Sequence, residues 1–145
     1  MIKKLDHSYS TDAQSILDLS LLSYRVEADL LGLVDFPPLD EKREQITEST
    51  SEFWGYFQDR RLIGVVEVEK GQRSNINRLV VDPNVFRQGA GRKLVQHVLS
   101  TYRVCSVTTA KQNLPAISLY RSEGFGSVES FFVEPFLELT TFHTG

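Results

Sequence analysis

Apolar positions along the chain switch between two rhythms, and the switches outline its elements. Ile2-Lys3-Lys4-Leu5 reads as a short strand. From Ala13 the spacing becomes helical: Ala13, Ile16, Leu17, Leu21 and Tyr24 trace one face, with Thr11 and Gln14 placed as a capping box. The pattern fades at Gly32 and breaks at Phe36-Pro37-Pro38, after which Asp40 is placed to cap a more charged helix running to Glu48. Phe53 to Gln58 and Leu62 to Glu69 read as strands about the turn Asp59-Arg60-Arg61. A second turn, Lys70 to Ser74, feeds a strand from Asn75 to Val81. Helical spacing returns at Leu94, Val95, Val98, Leu99 and Tyr102. Val104 to Thr109 is the next strand, followed by a helix with Asn113 as cap, Pro115 in its first turn, Ala116, Ile117 and Tyr120 inward, and Gly124 at its end. Two strands, Val128 to Val133 and Phe136 to Phe142, close the pattern about Glu134-Pro135. A meander of three strands followed by strand, loop and helix is an α+β arrangement.

Composition narrows this little. A chain of 145 residues, 41% hydrophobic and 24% charged, is expected to form one globular domain over residues 1–145. Its net charge of −3 argues against strong nonspecific nucleic-acid binding and mildly favours positively charged partners such as amines. The single Cys105, in the run Val104 to Val107, is expected to be a buried, reduced thiol. No run approaches the ~18 apolar residues of a membrane span and no leader is evident, so the expectation is a cytoplasmic protein without membrane contact. His7, His97 and His143 lack metal-ligand spacing, and no metal site is expected.

The chemistry concentrates at Leu79-Val80-Val81-Asp82-Pro83 and the stretch Asn84-Val85-Phe86-Arg87-Gln88-Gly89-Ala90-Gly91-Arg92-Lys93. A strand, a glycine-containing turn and a helix start make an anion site, because the first-turn N–H groups are unpaired at the positive end of the helix dipole. Arg87 and Arg92 flank it with fixed charge suited to a diphosphate. A Walker A loop is excluded because Gly91 is followed by Arg92-Lys93, and a dinucleotide fingerprint because Leu94 stands where Gly or Ala belongs.

The stretch resembles the pyrophosphate loop of the Gcn5-related N-acetyltransferase (GNAT) superfamily, V-x-P-x(5)-G-x-G/A, through Val81, Pro83, Gly89 and Gly91. Its longer form is only partly kept, with Phe86 at the first position and Arg87 one place later. A second signature, N-x-x-A-x-x-x-Y-x-x-x-G-F, is similar to Asn113, Ala116, Tyr120, Gly124 and Phe125 in the same order. The resemblance implies a mixed, mostly antiparallel sheet with helices on both faces, and transfer of an acetyl group from acetyl-CoA directly to a primary amine of a small molecule, peptide or protein. It also implies that the backbone of Leu79, Val80 and Val81 pairs with the pantetheine arm. The N–H groups from Arg87, Gln88, Gly89, Ala90, Gly91 and Arg92 would hold the diphosphate, Asn113 would bond the arm from the other side, and Tyr120 would protonate the leaving sulfur. A phenol suits that role, since it stays protonated at neutral pH.

The base is left open. Histone-type members carry a Glu that would align with Asn75, so Glu67, Glu69 or a water relay must serve. A lysine amine loses roughly 4–5 kcal/mol to become neutral at pH 7, an α-amino group about 1–1.5, so the missing Glu argues against a histone-like acceptor. Phe53, Trp54, Tyr56 and Phe57 are expected to be core, with one or two lining the acceptor site as the sharper alternative. The stretches from Leu30 to Leu39 and Phe131 to Phe136 either wall that site or simply pack. A catalytically silent acyl-CoA-binding module of the same fold is the rival reading, and a terminal edge strand leaves a homodimer open.

Overall fold

Val65 and Val66 are both fully buried, yet alternation points them to opposite faces, so the strand that carries them must be covered on both sides. The computed structural model describes residues 1–86, 88–134 and 137–145 and shows how that is done. Its elements are β1 (Ile2–Lys4), α1 (Ser10–Leu31), α2 (Arg43–Thr47), β2 (Glu52–Gln58), β3 (Arg61–Glu69), β4 (Ser74–Val81), α3 (Ala90–Tyr102), β5 (Cys105–Ala110), α4 (Leu114–Ser122), β6 (Gly126–Glu134) and β7 (Leu137–His143). One sheet holds all seven strands in the order β1-β2-β3-β4-β5-β7-β6, antiparallel except where β4 and β5 run parallel.

On one face, Phe53, Val65 and Val80 pack with Ala13, Ile16 and Leu17 of α1 and Ile46 of α2. On the other, Val66, Val68 and Ile76 meet Leu94, Val95 and Val98 of α3 and Ile117 and Tyr120 of α4. Cys105 is fully buried there with a free thiol, whose pKa burial pushes up. Of the β2 aromatics, Phe53, Trp54 and Tyr56 pack in the two cores, while Phe57 carries the Lys3 ammonium over its ring at 4.6 Å. Phe53 lies under α1, while Trp54 donates Nε1–H to the Tyr102 hydroxyl at 2.6 Å and meets the His97 ring of α3 at a tilt, 4.4 Å between centroids.

Three local expectations change. The Thr11–Gln14 box does not form: α1 starts at Ser10 behind an uncapping Tyr9, and the Gln14 amide donates to Asp18 instead, at 2.8 Å. Asp40 caps nothing, because Pro37–Asp40 form a 3-10 turn and α2 begins only at Arg43. Between them Glu41 is held extended, at φ −60° and ψ 141°, with its carboxylate on Arg78. The meander turn is tighter than expected, with Asp59 and Arg60 both at positive φ, the twist that suits a two-residue hairpin.

A cluster of charge lies inside the α1 face. Arg78, 8% exposed, donates through Nε to Glu67 at 3.0 Å, through Nη1 to Ser20 at 2.9 Å and through both Nη atoms to Glu41, at 2.9 and 2.5 Å. Its guanidinium also lies 5.5 Å from the Phe53 ring. One side chain therefore joins α1, the loop before α2, β3 and β4. Burial pushes the neighbouring Tyr24 phenol up to about 12; the Arg78 charge opposes that rise, and the carboxylates of Glu41, Glu67 and Glu27 add to it.

Candidate functional site: a cleft between parted strands

β4 and β5 pair only at Ser74–Cys105, Asn75–Ser106 and Ile76–Val107, where the Ser106 hydroxyl also donates to Asn75 Oδ1 at 2.8 Å. Beyond Ile76 they part. The same point carries a bulge: Glu67 faces Arg78 and Val68 faces Ile76 across β3, leaving Asn77 unmatched. From Asn77 to Val81 the β5 side of the β4 main chain thus has no strand partner among the described residues. A cleft of about 700 Å³ opens there.

The walls come from four elements. Leu79 and Val81 of β4 face Ala116 and Leu119 of α4; Ser23, Val26, Glu27 and Leu30 of α1 close one side, and Gly89 to Arg92 the end. Val80 turns the other way, into the α1 core at 1% exposure, so only its main chain is available to the cleft. Gly89 caps α3 in the left-handed conformation (φ 85°), where a side chain would be strained, and supplies no capping group of its own. Its carbonyl takes the Lys93 N–H at 3.0 Å, and the first-turn N–H groups of Ala90, Gly91 and Arg92 have no hydrogen-bond partner among the described residues. A Cβ at Gly91 would meet only ordinary contacts, Leu119 at 3.6 Å and Val81 at 3.7 Å, so internal packing does not require glycine there.

The expected cations differ. The Arg92 side chain is spoken for by the Ser122 hydroxyl at 2.8 Å and the Glu123 carboxylate. Arg87 lies outside the described residues. Gln88 is exposed and off the cleft wall. Among the described residues, main-chain N–H groups and the helix dipole, rather than free side-chain charge, are what this end of the cleft offers to an anion.

Asn113 is the α4 cap, its Oδ1 accepting the Ala116 N–H at 3.3 Å, while its Nδ2 reaches Glu27 Oε1 at 3.5 Å. Asn113→Ala is expected to cost about 1 kcal/mol of stability through loss of that cap, read as a lowered urea midpoint with an unchanged slope. Tyr120 lies one turn beyond Ala116, 4% exposed, against Phe125 at 5.5 Å and Phe142 at 6.5 Å. It is behind the wall rather than on it. Burial first, and then the Glu27 charge, raise its phenol pKa well above the ordinary value.

Neither carboxylate considered as a base reaches the cleft. Glu67 is bound to Arg78, with the Ser49 hydroxyl at 3.4 Å, and Glu69 takes the Asn77 amide at 3.1 Å. Of the stretch from Leu30 to Leu39 only Leu30 lines the wall, and Phe36 instead packs edge-on against Tyr24 at 6.3 Å. Phe131 and Phe132 are solvent-exposed on β6, and Phe136 lies outside the described residues. The residue that periodicity missed is Glu27. Its helical position sets it beside the buried Ala28, and nothing in its spacing separates it from a solvated charge.

A parallel strand pair that parts before an uncapped helix start, in a mixed seven-stranded sheet with helices on both faces, defines a class: an α+β domain with a cleft where its strands part. Residues 33–143 match the model of the acetyltransferase (GNAT) domain, and the chain belongs to that family. It is 38% identical over 147 residues to the UPF0157 protein YqkA of Bacillus subtilis, covering 99% of this chain and 43% of that protein. To the peptidyl-lysine N-acetyltransferase YiaC of Escherichia coli it is 29% identical over 76 residues, 52% of this chain and 51% of that one. The chain thus spans about half or less of the curated relatives it matches.

The fold is shared with the ribosomal-protein-S18-alanine N-acetyltransferase of Escherichia coli (TM-score 0.78, 16% identity, 99% of this chain and 92% of that one). It is shared equally with the PaiA N-acetyltransferase of Thermoplasma acidophilum in complex with coenzyme A (0.78, 17%, 97% and 96%). Among the described residues no helix is long and apolar enough to cross a membrane.

Proposed function

We propose that residues 1–145 act as one N-acetyltransferase domain that uses acetyl-CoA and passes the acetyl group directly to a primary amine. The observation that carries this reading is the parting of β4 from β5 directly in front of the uncapped start of α3. When bound, acetyl-CoA supplies an acetyl group already activated as a thioester. The chain's own part is to hold and to move protons. Ala90, Gly91 and Arg92 give main-chain N–H groups to the diphosphate, and Gly89 sets the backbone that aims them. Leu79, Val80 and Val81 pair their free main-chain edge with the pantetheine arm, and Asn113 bonds it from α4. Tyr120 keeps its proton at neutral pH and donates it to the departing sulfur.

The acceptor is an amine of a small molecule, peptide or protein. Peptide and protein amines gain support from the relatives named for peptidyl-lysine and ribosomal-protein alanine.

Coenzyme A at about a hundred times its Kd should stabilise the folded chain by about 2.7 kcal/mol, read as a raised Tm. Thiol release from acetyl-CoA over an amine panel tests the transfer. A Tm indifferent to coenzyme A would end the proposal, and binding without thiol release would leave a silent binding module.

A further inference from the structure

The chemistry above leaves Glu27 unused. This side chain reaches into the cleft from α1, between Val26 and Leu30, and its carboxylate makes one long contact, with Asn113 Nδ2 at 3.5 Å. The groups around it are neutral: Ser23 and the Tyr24 phenol on its own helix, Leu79 and Val81 on β4, Asn113 and Ala116 on α4, and the Tyr120 phenol just behind the α4 wall. Its ion pairs among the described residues are none, and the cleft-wall cation from α3, Arg92, is already held by Glu123. Desolvation raises its pKa, offset in part by the Asn113 contact. A carboxylate drawn out of water without a cation of its own gains most from a ligand that brings one.

We propose, building on the acetyltransferase reading, that Glu27 receives the acceptor amine in its ammonium form and takes the proton that must leave before nitrogen can attack. The proton passes from nitrogen to a Glu27 oxygen. The freed lone pair forms the N–C bond, the C–S bond breaks, and Tyr120 protonates the sulfur. Glu27 then returns its proton to the Tyr120 oxygen, and the second proton shed by nitrogen leaves to solvent. Both side chains end as they began. Such a base matters most for weakly dissociating amines, since at pH 7 roughly one lysine amine in a few thousand is neutral, against about one α-amino group in ten.

The test combines kinetics with a binding and a titration readout. Thiol release from acetyl-CoA is followed from about pH 5.5 to about 9 with an alanine-initiated peptide, an N-terminally blocked lysyl peptide, spermidine and tyramine as probes. Coenzyme A affinity is measured by calorimetry, and the Glu27 carboxyl by ¹³C titration with and without the best probe. Glu27→Gln should bind coenzyme A within about twofold of wild type, while kcat/KM falls about 10²-fold or more and loses its acidic limb. Glu27→Asp should keep the limb at a reduced rate, and the amine should lower the Glu27 titration midpoint. A purely structural role would lower the rate and leave the limb in place.

Wild-type kcat/KM and an unchanged limb in Glu27→Gln overturn the assignment and leave the acetyltransferase reading standing. Should that variant not fold, an unchanged Glu27 midpoint on adding amine overturns it equally. A wild-type chain that binds coenzyme A but turns over none of the probes overturns the enzymatic reading, and this assignment with it.

Discussion

Tyr120→Phe should lower kcat by about 10²- to 10⁴-fold, the range for loss of a general acid, and leave coenzyme A affinity within a factor of about two. Geometry makes the variant clean. The ring is held by Phe125 and Phe142, and these contacts survive removal of the hydroxyl oxygen, so folding changes little. The direction of the phenol's pKa adds a second readout. Burial and the Glu27 charge both favour the protonated form, so wild type should show no alkaline decline from Tyr120 below pH about 10. A phenol so reluctant to ionise is a poor acid in water. In the proposed reaction, however, the leaving thiol would be desolvated in the same cleft, and its pKa would rise in parallel. Retention of wild-type turnover by Tyr120→Phe would remove the residue from the chemistry.

Arg78→Met should be the most damaging single change to the fold, costing about 3–5 kcal/mol. The loss is not the value of the ion pairs themselves. It comes from Glu67, itself 8% exposed, left in the interior without a cation and with only the Ser49 hydroxyl, at 3.4 Å, to bond. Glu41, at the cluster's more open side, is freer to turn to solvent. Total stabilities of 5–15 kcal/mol are ordinary for a domain, so the variant forfeits a large share of what is available. Urea unfolding should show a lower midpoint with the same slope. Adding Glu67→Leu should restore most of the loss, because a buried pair replaced by packed apolar groups is often neutral or better. A single variant as stable as wild type would mean that water already reaches the cluster.

Much of this was legible in the chain, for identifiable reasons. Asn113 and Gly124 bound α4 where turn and cap chemistry put them, and the stretch from Leu79 to Gly91 supplies the strand end, the left-handed glycine and the helix start in one reading. These are local effects. Strand order is not local, and alternation along the last two strands gives no hint that β7 inserts between β5 and β6. The bulge at Asn77 is likewise a mismatch between two strands, invisible in either alone. Glu41 escaped notice because its conformation is set by Arg78, thirty-seven residues away. Arginine next to the apolar run 79–81, with Glu67 in the preceding strand, was the available clue to that cluster. Glu27 offered none, since a carboxylate on an amphipathic helix looks the same from sequence whether it faces water or a cleft.

The strand order has one more outcome. The unpaired main chain of β4 is flanked by α1 and α4, which keep other strands from it, but the two outermost strands must guard themselves. β1 does so by brevity, three residues with Lys3 and Lys4 among them. β6 does so only through two register irregularities, between Ser127 and Glu129 and between Phe132 and Glu134: it shows Val128, Phe131, Phe132 and Val133 to solvent, Phe132 at 66% exposure, with Glu129 the one charge in the run 128–133. Stray strand-to-strand association in concentrated solution is therefore expected at the β6 rim of the sheet, with β7 and β5 between it and the cleft beside β4.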